Sequence, residues 1–202
     1  MPLAHLNLAE LRAMSRAELH GVMCRGHALD LEALSSASYR GIDLSLPRWM
    51  HRLLWETFVK EFVRDEGMGH VRGWNVRIEQ TGVEGEIRPM RTRDGRRRTF
   101  GHYVVRANDG RRFPQGWQGA HYLDYRCAGN TLFDPARPAT APLIAVNAGD
   151  MDLLLGWEIF NVGPLQIPIP DYWALVRLGP AAERVAVPRP PRPPRALAGP
   201  RG

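Results

Sequence analysis

The chain has 202 residues, 44% of them hydrophobic and 24% charged, with a net charge of +6. That composition fits one soluble globular domain with a sizeable core and excludes a collagen-like or low-hydrophobicity disordered chain. No apolar run approaches the roughly 18–20 residues of a membrane helix, so no transmembrane segment is expected, and the opening "MPLAHLNLAELRAMSRAELHG" lacks the pattern of a secretory signal.

The charge is unevenly placed. Residues 180–202 carry five arginines against Glu183, a net +4 of the total +6, so the rest holds only +2. A second basic cluster runs from Arg88 to Arg98, interrupted by Asp94 and Gly95. No base-reading motif accompanies either cluster, which excludes an expectation of sequence-specific nucleic-acid binding. Cys24 and Cys127 are too few for a disulfide framework or a zinc site, and a reduced cytoplasmic location is expected. Of the 27 basic residues, 26 are arginine, and Lys60 is the only lysine. A lone lysine among arginines has two readings. It is an ordinary surface cation, or it sits where a compact charge whose pKa burial can shift is needed.

Two short helices open the chain. Asn7 with Glu10, and Ser15 with Glu18, have capping-box spacing, Gly26 supplies a stop, and Asp30 caps a further turn over 30–34. A first strand follows over 38–47. The segment 47–66 then predicts an amphipathic helix. Pro47 suits its first turn, Gly67 its end, and Trp49, Leu53, Phe58, Val59, Phe62 and Val63 recur at spacing 3–4. On that helix Lys60 shares the solvated face with Arg52, Glu56 and Arg64.

From residue 70 the period changes to two. "HVRGWNVRIEQ" reads as a strand with a bulge at Gly73, and "EIRPMRT" and "TFGHYVVRA" as a hairpin around Asp94-Gly95. "GAHYLDYRC" places His121, Leu123 and Tyr125 on one face and Tyr122, Asp124 and Arg126 on the other. "LIAVN", "LLLGWEIF", "LQIPI" and "YWALVRL" complete the set. Asn147-Ala148-Gly149-Asp150-Met151-Asp152 sits between two of these strands. Turn chemistry accounts for it, and a calcium loop needs more oxygen ligands. The Arg/Pro-rich segment 180–202 reads as a disordered polyproline tail that can meet an acidic partner.

The expected fold is therefore α+β. Short N-terminal helices and one amphipathic helix over about 47–66 pack on an antiparallel meander or barrel-like sheet of about eight strands. Residues 1–179 form a single domain, followed by the tail.

The phrases "YRGIDLSLP", "FVKEF", "GWNVRI", "FGHYVV", "LDYRCAGN", "PLIAVNAGDMDLLLGWEIFNVGP" and "DYWALVRL" resemble a group of one-domain, strand-rich bacterial proteins. The resemblance spans about residues 8–178. It implies a strand-rich domain and a shared Lys60/Phe62 pair, and it brings no established activity, cofactor or catalytic residue.

No nucleotide loop, nucleophile elbow or metalloprotease motif is present. The geometrical expectation is a strand-walled pocket for a small hydrophobic or aromatic ligand, without a cofactor or metal. Trp55, Lys60, Asn75, Tyr103, Tyr122, Asp124, Arg126 and Trp157 are its candidate lining. Two alternatives stand beside it. One is an enzyme using Lys60, His102 and His121, or the Asp150/Asp152 pair. The other is an interaction protein using the basic tail and the Arg88–Arg98 hairpin.

Overall fold

A computed structural model describes residues 5–47, 55–65, 67, 69–182 and 184–188. Its centre is an eight-stranded antiparallel barrel, closed where the first strand pairs with the last. The strands are β1 (Ala37–Asp43), β2 (Thr57–Arg64), β3 (Val71–Val76), β4 (Thr99–Ala107), β5 (His121–Asp124), β6 (Ala139–Ala145), β7 (Leu153–Val162) and β8 (Leu165–Pro180). Each pairs with its neighbours in chain order, so local turns suffice to build the barrel. Closure removes the sheet edges over the paired lengths, and the start of β8, from Leu165 to Asp171, pairs with β7 and not with β1.

Three helices precede the barrel among the described residues: α1 (Leu8–Ala13), α2 (Arg16–Arg25) and α3 (Leu31–Leu34). Their starts are fixed by the side chains that the sequence singled out. Asn7 and Glu10, and Ser15 and Glu18, form reciprocal capping boxes, and Asp30 accepts from the backbone of Glu32 and Ala33. Both longer helices pack against the outer wall. Leu11, Leu19, Val22 and Met23 meet Leu155, Trp157, Ile159, Tyr172 and Ala174 in one apolar cluster. Leu34 and Leu29 instead join the interior cluster with Tyr39, Phe62, Tyr103, Leu123, Leu154 and Leu175. One end of the barrel is thus filled with side chains.

The predicted helix over 47–66 is corrected. Its first half falls on 48–54, outside the described residues, and its second half is the strand β2. The reason lies in burial on both faces. Phe58, Lys60 and Phe62 point inward, whereas Val59 and Val63 join Trp74, Val76 and Ile78 in a cluster outside the wall. A strand covered on both sides has no polar alternation, and its apolar residues then imitate helical spacing. The expected solvated face for Lys60 goes with the helix: Lys60 is 1% exposed.

Smaller differences follow the same logic. "LQIPI" and "YWALVRL" are one continuous strand, with Pro168 and Ile169 carried beside a register shift between Trp157 and Ile159. "EIRPMRT" contributes only isolated bridges, Ile78 to Pro89 and Arg91 to Arg97. The slip expected near Gly73 is present as a register shift between Gly73 and Asn75. Beyond β8, the Ala181 amide donates to the Ser36 carbonyl, and Arg72 donates to the Val185 carbonyl at 2.9 Å. The Arg/Pro run from 189 onward lies outside the described residues.

Candidate functional site

The barrel interior is filled at one end and hollow at the other. A cavity of about 150 Å³ occupies the end where β1 stops and β2 begins. Its walls are Trp55, Phe58, Phe100, Tyr125, Phe160 and Trp173, with Leu46, Pro135 and Ala136. Its polar groups are Lys60, Asn75, Glu158, Asp171 and Asp43. An eight-stranded barrel has an interior that side chains just fill, or that holds one small ligand. Here small residues decide which of the two applies locally.

Glycines on the inward face let aromatic rings lie flat against the wall. A Cβ on Gly41 would meet the Phe58 ring at 2.2 Å, one on Gly156 the Trp173 ring at 2.1 Å, and one on Gly73 the Tyr103 hydroxyl at 2.4 Å. These three rings, with Tyr125, surround the Lys60 ammonium. Nζ lies 5.5 Å from the Phe58 centroid, 4.5 Å from Tyr103, 5.4 Å from Tyr125 and 4.8 Å from Trp173. Ring faces attract a cation in this range.

Lys60 is also anchored directionally. Its Nζ donates to Asn75 Oδ1 at 2.7 Å and to the Tyr125 hydroxyl at 2.9 Å. Asn75 is held in turn, since its Nδ2 donates to the Gly101 carbonyl at 3.0 Å, which turns its oxygen toward Lys60. The amine, carried by β2, is therefore fixed by residues on two other segments, β3 and the chain just past β5.

Three carboxyl groups face the same space. Burial pushes the Lys60 ammonium well below its ordinary range, and the charges of Glu158 and Asp171 only partly oppose this. Burial pushes Glu158 up, against the Lys60 charge and a hydrogen bond from Trp173. Asp171 is raised by burial, by the Glu158 charge and by Asp43, with which it shares a hydrogen bond. Glu158 and Asp171 are enclosed by protein yet keep partial accessibility, because they line the cavity. Burial thus shifts the amine and the carboxyl groups alike toward their neutral forms.

Of the eight candidate lining residues, Trp55, Lys60 and Asn75 line this cavity. Tyr103 lies beneath it, its ring against Lys60 and its hydroxyl donating to the Glu61 carbonyl at 2.7 Å. Tyr122 and Trp157 face outward into the cluster under α1 and α2. Asp124 also faces outward and pairs with Arg126 at 3.1 Å. The alternation read from "HYLDYR" holds, and it takes Tyr122, Asp124 and Arg126 away from the interior.

The acid–base set of Lys60, His102 and His121 is not brought together. His102 lies on the outer wall against Trp74, and His121 is in reach of the Leu29 amide near the filled end. Asp150 and Asp152 form a turn. The Asp152 amide donates to Asp150 Oδ1 at 2.7 Å, Asp150 meets His5 at 3.3 Å, and Asn147 clamps the backbone of Leu6. In the basic hairpin, Arg88 pairs with Glu86, Arg96 with Asp94 and Arg97 with Glu61 on β2, so three of its six arginines have a carboxylate partner, and Arg91 donates to the Gly95 carbonyl.

Sequence reasoning missed Glu158 and Asp171. Alternation carried the signal. Leu154, Gly156, Glu158 and Phe160 share one face of β7, and an acid in that row belongs inside.

His102 gives a stability prediction. Burial holds its imidazole down at about 4, with Arg72 adding to the effect, and its Nδ1 has no hydrogen-bond partner. A depressed histidine is neutral in the folded state while the unfolded chain takes up a proton. Stability is therefore lost as pH falls from 6.5 through about 4, a contribution of roughly 3 kcal/mol. His102→Phe removes that part of the acid-side loss in denaturation curves measured across the window. A parent-like acid slope in the variant refutes the assignment.

The class defined so far is a closed antiparallel barrel with a blind cavity and a buried lysine at its floor. Comparison with protein-family models, curated proteins and solved structures returns no match for this chain. Among the described residues no helix is long and apolar enough to cross a membrane.

Proposed function

We propose that the protein binds a small hydrophobic or aromatic molecule inside the barrel, with a polar atom of the ligand directed at Lys60 and its carboxyl neighbours. The observation that carries this reading is the blind apolar cavity with a few convergent polar groups at its floor. Its size sets the class of ligand. A cavity of about 150 Å³ matches the space that takes one benzene-sized ring. The ring lies among Trp55, Phe58, Phe100 and Trp173, where edge and offset contacts between aromatic groups add to simple burial. A hydroxyl or carbonyl then reaches the amine and the carboxyl groups. Cys24 and Cys127 are both free and exposed, which suits a reducing, cytoplasmic setting.

Benzyl alcohol is a fitting probe, and calorimetric titration is the measurement. Saturable one-to-one binding is expected, with a negative heat-capacity change from apolar burial. Ala136→Phe tests the location. Ala136 is a partly exposed lining residue, so its substitution fills the space with little strain. The variant keeps its unfolding midpoint and loses benzyl alcohol binding by tenfold or more, a change of about 1.4 kcal/mol. Absence of saturable binding by the parent protein overturns the reading.

A further inference from the structure

We propose that Lys60 is a covalent site: its amine condenses with the carbonyl carbon of a small aldehyde or ketone seated in the cavity, forming an imine. This rests on the reading of the cavity as a ligand site and adds the ligand's chemical class.

Lys60 Nζ is at the floor of a blind apolar cavity, held by Asn75 and Tyr125 and framed by four rings. A ligand seated in the cavity lies beside the amine, because Lys60 is part of its lining. Held in that way, two reacting groups gain much of the advantage of an intramolecular reaction. The surroundings supply the rest. An amine must lose its proton to attack a carbonyl, and the Glu158 carboxyl group lines the same cavity. Desolvation acts on both partners in that direction.

The step balances without an oxidant. The amine nitrogen forms a bond to the carbonyl carbon, and the C=O electron pair moves to oxygen. The nitrogen gives up its protons, the oxygen takes up two, and water leaves as the C=N bond forms. Protonated Glu158 or Asp171 delivers a proton to the departing oxygen. Burial, the Glu158 charge and the hydrogen bond to Asp43 all raise Asp171, which favours its protonated form. The reverse reaction returns the carbonyl compound and the free lysine.

The sequence makes the test unusually clean, because Lys60 is the only lysine. The α-amino group is the sole other amine, and it serves as an internal comparison. The full-length protein is incubated with benzaldehyde and sodium cyanoborohydride, and the adduct is located by peptide mass spectrometry. A single benzyl group on Lys60, formed faster than on the α-amino group, is the expected result. Competition by benzyl alcohol and blockade by Ala136→Phe place that reaction in the cavity.

Glu158→Gln separates a reactive amine from a merely accessible one. Lys60 keeps its anchors and loses its proton more readily without the Glu158 charge, so a fall of about a hundredfold in trapping near neutral pH reports loss of the acid that protonates the departing oxygen. The groups that face Lys60 and shape its pH profile are Glu158 on β7, Asp171 on β8, Asp43 on β1, Tyr103 on β4 and Tyr125 past β5. Benzyl alcohol binding without any adduct on Lys60 overturns the covalent proposal and leaves the ligand site standing. Equal labelling of Lys60 and the α-amino group also overturns it, as does unchanged trapping by Glu158→Gln. If neither benzyl alcohol nor benzaldehyde binds, both readings fall together.

Discussion

Gly73→Ala destabilises the barrel by more than about 4 kcal/mol, a loss reserved for changes that break a buried network and strain the backbone together. The geometry is explicit. A Cβ at Gly73 would stand 2.0 Å from the carbonyl oxygen of Glu61 and 2.4 Å from the Tyr103 hydroxyl. Those two atoms are hydrogen-bonded to one another at 2.7 Å, so the methyl would sit on their bond. Neither atom can yield cheaply. One belongs to the backbone of β2, paired on both sides, and the other to a ring with no exposed surface. Tyr103→Phe is the calibrating change. It removes the hydroxyl without adding bulk and costs about 1–2 kcal/mol. Combining the two substitutions recovers only part of the loss, because the Glu61 carbonyl still blocks the methyl. Urea denaturation of the three variants checks this, and a Gly73→Ala protein within 1 kcal/mol of the parent contradicts it.

Gly73 also shows what the sequence could and could not convey. Its interruption of an alternating strand marked a bulge, and the register shift is there. Local signals of this type survived well. The capping boxes at Asn7 and Ser15, the turn at Asn147–Asp152 and the two faces of "HYLDYR" all depend on residues a few positions apart, so the chain carries them visibly. Barrel closure, by contrast, depends on β1 meeting β8, more than a hundred residues apart, and on the glycines that admit aromatic rings to the interior. Lys60 illustrates the resulting error. Spacing put it beside Glu56 and Arg64 on a helix, yet Phe58 and Phe62 flank it inside the barrel. Its isolation among 26 arginines was the better guide. Glu158 and Asp171 escaped notice because acids read as surface residues by default. Only their partner across the cavity makes their inward position tolerable.

That partnership sets the pH dependence of Lys60→Met. The variant is expected to be about 3 kcal/mol less stable than the parent at pH 8, since Asn75 and Tyr125 lose their buried donor and the Glu158 and Asp171 carboxyl groups lose the amine that offsets their burial. The deficit shrinks by about 2 kcal/mol or more as pH falls to 4. Two linked effects have the same sign. Lys60 has a folded pKa below its ordinary 10.5, so it binds fewer protons when folded. Its penalty grows as pH falls from 10.5 to about 7 and is constant below, so Lys60 itself contributes only to the change between pH 8 and 7, and methionine abolishes that penalty. Glu158 has a folded pKa above its ordinary 4.5, so its penalty grows as pH rises. Without Lys60 the penalty is larger, because the one nearby cation that lowers it is gone. Each unit of altered pKa corresponds to about 1.4 kcal/mol. The lost hydrogen bonds to Asn75 and Tyr125 contribute equally at every pH and displace the whole curve without changing its slope. Denaturation midpoints of parent and variant measured from pH 4 to 8 therefore converge on the acid side. A difference that stays constant across that range means that Lys60 does not exchange charge with the carboxyl groups, and it removes the electrostatic basis for a reactive amine at the cavity floor.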